Sequence, residues 1–141
     1  MKTIIITIVL ACTLAFMNAQ DAIKTEGTTI TVTVPVKTDT GEIIVALYNE
    51  ATFMKAAPLE GLRSTIENGK ATVVFTNIAP GDYGITLFHD TNGNKTMDFE
   101  ANGMPKENYG VSNNVMNFGP PQWKDAKFTI ATAPIEMEII L

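Results

Sequence analysis

The stretch Asp90-Thr91-Asn92-Gly93-Asn94-Lys95-Thr96-Met97-Asp98 carries oxygen-bearing side chains at every second position. Hard cations such as Ca²⁺ require oxygen cages of this kind. The spacing predicts a Ca²⁺ loop in which Asp90, Asn92, Asn94 and Asp98 supply side-chain oxygens and Thr96 its backbone carbonyl, with Glu100 or Glu107 closing the shell. It is half of the familiar Asp-x-Asn-x-Asn pattern. Lys95 stands at the sixth position, where the sharp turn calls for glycine, and Ala101 at the twelfth, where a bidentate glutamate is expected. Binding is therefore expected to be weak, with a Kd of about 10⁻⁴ to 10⁻³ M. Mg²⁺ suits the stretch less well, since nothing here supplies phosphate and that ion keeps its own waters. A plain turn is the alternative. Asn92-Gly93 is itself a hairpin signal, and an aspartate at position 90 can accept backbone N–H groups two residues on without any ion. What favours the ion is that a long loop without disulfides needs an organiser, and that Asp90 and Asp98 repel each other unless a cation lies between them.

Other residues invite chemistry with less support. His89 beside Asp90 has the composition of a metal seat or general base, but one histidine cannot build a zinc site of the usual kind. Strand alternation aims it at the core and Asp90 the opposite way, so a capped structural histidine is expected. Ser112 lacks a glycine-framed elbow and a base, which argues against a hydrolase triad. Met54, Met97, Met104 and Met116 could join His89 in a soft Cu(I) site, but their spacing shows no motif, and methionine more often fills gaps under loops. Tyr109, Phe118 and Trp123 offer a ligand platform or, as the plainer expectation, pins that hold a loop to its scaffold.

The elements that must position these residues are strands. Residues 28–36 alternate strictly, Ile30, Val32, Val34 and Val36 against Thr29, Thr31, Thr33 and Pro35. Pro35 predicts an edge strand, or one that breaks near its end. Residues 42–48 are apolar on both faces and predict a central strand. Asn49 is expected to cap a short turn that carries Phe53 and Met54 down onto the sheet. Residues 63–67 and 71–78 flank Asn68-Gly69, a hairpin signal because both central positions of a type I′ turn need positive φ. After the turn at Pro80-Gly81, residues 83–89 form a strand that ends at the candidate loop. Residues 90–124 lack periodicity and predict one long loop after the fifth strand, a length usually reserved for function or for segments held by something specific. Residues 127–131 and 135–141 close the domain, with Glu136 and Glu138 outward.

Residues 1–19 have a basic start and an apolar run too short to span a bilayer, the pattern of a secretory signal peptide cleaved after Ala19. Val9-Leu10-Ala11-Cys12 loosely resembles a lipoprotein acylation box, but Leu14, Ala15 and Phe16 continue the apolar run where a lipid-anchored chain turns polar. Residues 20–27 then read as a short linker and residues 28–141 as a single domain. The mature chain would carry no cysteine, which excludes disulfides and thiolate chemistry. A net charge of −5 without any basic run excludes nucleic acid as a partner. No later run is long enough to cross a membrane. The expected location is periplasmic or extracellular, with an unidentified ligand or envelope protein as partner.

The run Phe75-Thr76-Asn77-Ile78-Ala79-Pro80-Gly81-Asp82-Tyr83-Gly84-Ile85 resembles the corner of prealbumin-like and Cna-B-like sandwich modules. Its continuation through residues 89–94, 103–113 and 118–121, then Asp125-Ala126, resembles the bacterial family catalogued as domain of unknown function 2141. That resemblance implies an exported bacterial β-sandwich with no assigned activity. The fold expected is all-β, an antiparallel sandwich of about seven strands, immunoglobulin- or prealbumin-like. The function expected is a non-enzymatic binding or structural module with a weak Ca²⁺ loop. Its alternatives are a metal-free module that binds through the aromatic loop, or an envelope metalloenzyme using His89 and Asp90.

Overall fold

The computed structural model describes residues 26–141. The expected signal peptide, Cys12 and residues 20–25 of the expected linker lie outside the described residues. Two sheets face each other. In one, β1 (Thr28–Pro35) lies between β4 (Lys70–Ile78) and β8 (Ile135–Glu138). In the other, β3 (Glu60–Thr65), β2 (Glu42–Tyr48), β5 (Gly81–Asp90) and β6 (Tyr109–Val111) follow in that order, and β7 (Phe128–Ile130) pairs with the first residues of β5. The expected strands form, and β6 is an addition from inside the long loop. All pairings are antiparallel except β1 with β8.

Alternation decides which side chains meet between the sheets. Ile30, Val32 and Val34 of β1 share one buried core with Ile43, Val45 and Leu47 of β2, and Phe75 of β4 is its largest fully buried side chain. Each such side chain contributes about 1.5–3 kcal/mol by leaving water. The edge position that Pro35 predicts for β1 is not found, because β1 is the central strand of its sheet. Its alternative, a strand that breaks near its end, describes the molecule. Val36 N–H bonds to the Gly69 carbonyl (2.8 Å), so the two-residue period turns the backbone groups of Thr33 and Pro35 away from β4, toward β8. Pairing with β8 reaches only Thr33, so the missing N–H of Pro35 costs no ladder bond.

The Asn68-Gly69 turn forms as expected, with φ of 53° and 76°. The strands it joins do not stay together. β3 pairs with β2 in one sheet and β4 with β1 in the other, leaving only the bridge between Glu67 and Lys70. Buried Ile66 marks the crossing, and β3 runs from Glu60 to Thr65 where residues 63–67 were expected. A two-residue turn controls direction, while the partner of each strand is set by where its apolar side chains find cover.

Two local devices support the site. At the Pro80-Gly81 corner the Tyr83 hydroxyl donates to the Ala79 carbonyl (2.9 Å), tying the entry of β5 to the preceding turn, as tyrosine corners do in other sandwiches. After β2, the Asn49 side-chain oxygen accepts the Thr52 N–H (3.1 Å) and Phe53 is buried. Met54 does not follow it down, since it is exposed with a left-handed backbone (φ 54°). Among the described residues, no helix is long and apolar enough to cross a membrane.

Candidate cation-binding loop

β5 delivers two neighbouring polar residues with opposite directions. His89 continues the inward side of Ile85 and Leu87, and its Nε2–H donates to the Thr40 carbonyl (2.7 Å). Asp90, with 0 % exposure, turns into the loop, where its two oxygens accept the N–H groups of Gly93 and Lys95 (2.8 Å each). Both residues are thus held by backbone, and their side chains do not converge on a common ligand. Gly41 makes the close approach possible. Its φ is +83°, and a Cβ there would lie 2.5 Å from the Asp90 carbonyl oxygen.

The loop then winds through successive side-chain turns. The Asn92 oxygen accepts Asn94 N–H and the Asn94 oxygen accepts Thr96 N–H, each at 3.0 Å. The amide nitrogens of both asparagines donate to the Asp98 carboxylate, at 2.6 Å from Asn92 and 2.9 Å from Asn94. Glu107, 7 % exposed, reaches back from beyond the loop and accepts Thr91 N–H (3.2 Å) and Asp98 N–H (3.3 Å). Lys95 takes a left-handed backbone (φ 64°) at the sixth position, the place where a Ca²⁺ loop of this type turns sharply on glycine.

Asn92, Asn94 and Asp98 are therefore in direct contact. Asp90 joins them through the backbone of Gly93 and Lys95, and Glu107 clasps both ends. Thr96 is exposed within the loop. Glu100 lies in the adjoining turn, where only its backbone is engaged, its N–H donating to Met104 and its carbonyl accepting Gly103 N–H. Of the two glutamates expected to close the shell, Glu107 is the one against the loop. The ion pairs among the described residues are Arg63 with Glu42 and Lys127 with Asp82, so neither buried carboxylate has a cationic partner there. No group of three or more His, Cys, Asp or Glu side chains arranged to hold a metal occurs among the described residues. Half of the candidate oxygens belong to amides and to the backbone.

The remainder of the long loop is held by three polar residues, of which sequence reasoning weighed only Ser112, and that as a nucleophile. Ser112 is buried, and its hydroxyl accepts Ile85 N–H (3.0 Å) while donating to the Ala126 carbonyl. It fills the gap along β5 between β6 and β7, standing in for a strand. Asn113 donates to the carbonyls of Asp125 (2.8 Å) and Lys127 (2.9 Å). Asn114 donates to the Glu138 carbonyl and accepts Ile140 N–H, both at 2.9 Å. Both asparagines are left-handed (φ 68° and 54°), which asparagine tolerates better than most residues. The run Ser-Asn-Asn was the available signal.

Of the three aromatic residues expected to pin the loop, only Trp123 does so. In the short helix α1 (Trp123–Ala126) it packs on Phe53 (ring centroids 5.6 Å apart) and against Gly84, where a Cβ would lie 3.2 Å from the indole. Phe118 is fully exposed and Tyr109 partly so. Aromatic content marks a segment as ordered without saying which ring turns inward. Three of the four methionines also differ from expectation, Met97 being half-buried. Met54, Met104 and Met116 are exposed instead of filling gaps. Met104, Met116 and Tyr109 line an open cleft of about 560 Å³ between the long loop and residues 140–141. His89 borders a different cleft of about 310 Å³ that no methionine lines.

No curated protein matches the chain, and no solved structure does. The family described as "Uncharacterized protein conserved in bacteria (DUF2141)" matches residues 30–138, a span that holds both sheets, the tyrosine corner, the Asp90 loop and the Ser112 clamp. The chain belongs to that family.

Proposed function

We propose that the protein is an exported, non-enzymatic β-sandwich module of the cell envelope whose loop from Asp90 to Asp98 binds Ca²⁺ weakly. One observation carries this. The side chains of Asp90, Asn92, Asn94 and Asp98 wind around a backbone whose sixth residue, Lys95, adopts the left-handed turn that Ca²⁺ loops use, although lysine disfavours it. The donor set fits the ion, being oxygen throughout and including two carboxylates with spare lone pairs. On binding, the Asn92 and Asn94 oxygens, which already accept Asn94 and Thr96 N–H, would offer their second lone pairs to the ion, and the ion would replace the amide nitrogens as the partner of Asp98. Two buried carboxylates without cationic partners add an electrostatic incentive.

Thermal unfolding tests the proposal. With a Kd of about 10⁻⁴ to 10⁻³ M, about 10 mM Ca²⁺ adds about 1.4–2.7 kcal/mol by mass action. The expected rise in Tm is about 5–10 °C, reversed by chelator. Asp98→Ala should abolish the response and leave a folded sandwich, since the Asp98 carboxylate bonds only to Asn92 and Asn94 within the loop. An unchanged Tm in the native protein overturns the proposal. The basic start and apolar run of residues 1–19 support export. Mass spectrometry of the envelope fraction should find a chain that begins near Gln20 or Asp21.

A second reading has its own observation, the cleft lined by Met104, Tyr109 and Met116. Here the long loop is a metal-free ligand surface for an apolar group. An apolar fluorescent dye should bind equally with and without Ca²⁺, and Met116→Asp should weaken it several-fold without changing Tm. Dye binding unaffected by Met116→Asp removes this reading.

A further inference from the structure

An outer strand presents backbone N–H and C=O groups to any extended chain that fits, and soluble proteins blunt such edges. The outer strands here are β4 and β8 of one sheet, and β3, β6 and β7 of the other. Four of these are blunted. β6 and β7 have 3 residues each, and β8 has 4 with Glu136 and Glu138 side by side facing out. β3 interrupts its edge with Glu60, Gly61 and Arg63. β4 is different, with 9 residues and no charge after Lys70, and its one irregularity, a bulge at left-handed Asn77, comes at its far end.

The register identifies its free groups. Because Val36 N–H bonds to Gly69, the residues Ala71, Val73 and Phe75 exchange hydrogen bonds with Val34, Val32 and Ile30 of β1. The N–H and C=O groups of Thr72, Val74 and Thr76 then point away from β1, and nothing among the described residues bonds to them. The side chains of these three residues are exposed on the outer face of the sheet, Val74 by 46 %.

We propose that β4 is the contact surface for a second copy of this chain, the two strands pairing antiparallel about a two-fold axis at Val74. The strand is self-complementary in that register. Val74 faces Val74 of the second copy, Thr72 faces Thr76, and these pairs exchange about six main-chain hydrogen bonds. The two Lys70 side chains stand about 26 Å apart along the strands, beyond the screening length at physiological salt, so no like charges oppose the contact. The same operation on β8 sets Glu136 against Glu138. The product is an isologous dimer with one continuous sheet, β8-β1-β4-β4′-β1′-β8′. A single strand pair is a small interface, so association is weak and depends on concentration.

Sedimentation equilibrium of the full chain up to about 1 mM tests this. The average mass should climb toward twice that of the monomer. Val74→Lys, at an exposed position outside the core, should hold the mass at one monomer with an unchanged Tm, because it sets two lysines against each other. A native chain that stays monomeric throughout, or a Val74→Lys variant that associates like the native chain, overturns the proposal. Register is read by cross-linking in a Cys12→Ser background. Val74→Cys should form an intermolecular disulfide under mild oxidation, since Cα atoms about 5.5 Å apart fit that bond. Thr76→Cys, opposite Thr72, should not. Equal cross-linking of both variants also overturns the proposal.

Discussion

Asp90 is buried with no cationic side chain beside it, and two backbone N–H groups take that place. The side-chain oxygens of Asn92 and Asn94 are similarly spent on backbone N–H groups, which is why the plain turn and the cation loop look alike in sequence. What separates them physically is Lys95. A non-glycine residue in the left-handed region costs roughly 1 kcal/mol, so Lys95→Gly should stabilise the metal-free protein by about 0.5–1 kcal/mol and tighten any Ca²⁺ binding. Chemical denaturation with and without Ca²⁺ measures both effects, and a destabilised variant would mean that the lysine side chain matters more than its backbone. Ser112 makes the opposite case, a small side chain with a large structural share. Ser112→Ala leaves Ile85 N–H and the Ala126 carbonyl unpaired in the interior, at an expected cost of about 1–3 kcal/mol. A lower denaturant midpoint with an unchanged slope would show it.

At the scale of elements, the long loop is three pieces with different fastenings. Residues 90–98 are held by their own side chains and Glu107, β6 by the ladder with β5, and residues 112–126 by the Ser112-Asn113-Asn114 clamp and Trp123. None of these fastenings is periodic. That explains why residues 90–124 read as one structureless stretch, and why the three residues of β6 were invisible in it. The aromatic positions should separate sharply under substitution. Trp123→Ala removes the contact with Phe53 and is expected to cost about 2–3 kcal/mol, less than for a fully buried ring. Phe118→Ser, at a fully exposed position, should change stability by no more than about 0.5 kcal/mol. Thermal unfolding measures both, and hydrogen exchange should show faster opening of residues 112–126 in the Trp123 variant alone. The Asn68-Gly69 turn makes the complementary point, because its local chemistry was legible while the divergence of its strands was not.

For the whole molecule, the two sheets share one core whose largest fully buried side chain is Phe75, and no residue from 91 to 98 belongs to it. Phe75→Ala should cost about 3–5 kcal/mol, a large share of the about 5–15 kcal/mol available to a domain of this kind. Chelation of Ca²⁺, by contrast, should lower Tm and leave the β-rich circular dichroism in place. Urea denaturation and spectra of the same samples distinguish these outcomes.

The sequence by itself determined most of the strands, though not β6 or the bounds of β3, and which of their faces turn inward, because a two-residue period in apolar side chains is a local property that burial then enforces. It also determined the turn chemistry at Asn68-Gly69 and Pro80-Gly81, and the oxygen spacing of residues 90–98. Only the tertiary structure decided that β1 is central despite Pro35, that β3 and β4 part into different sheets, and that Glu107, not Glu100, closes on the Asp90 loop. Those outcomes depend on which distant backbone or apolar face lies alongside, and residue order alone carries no record of that.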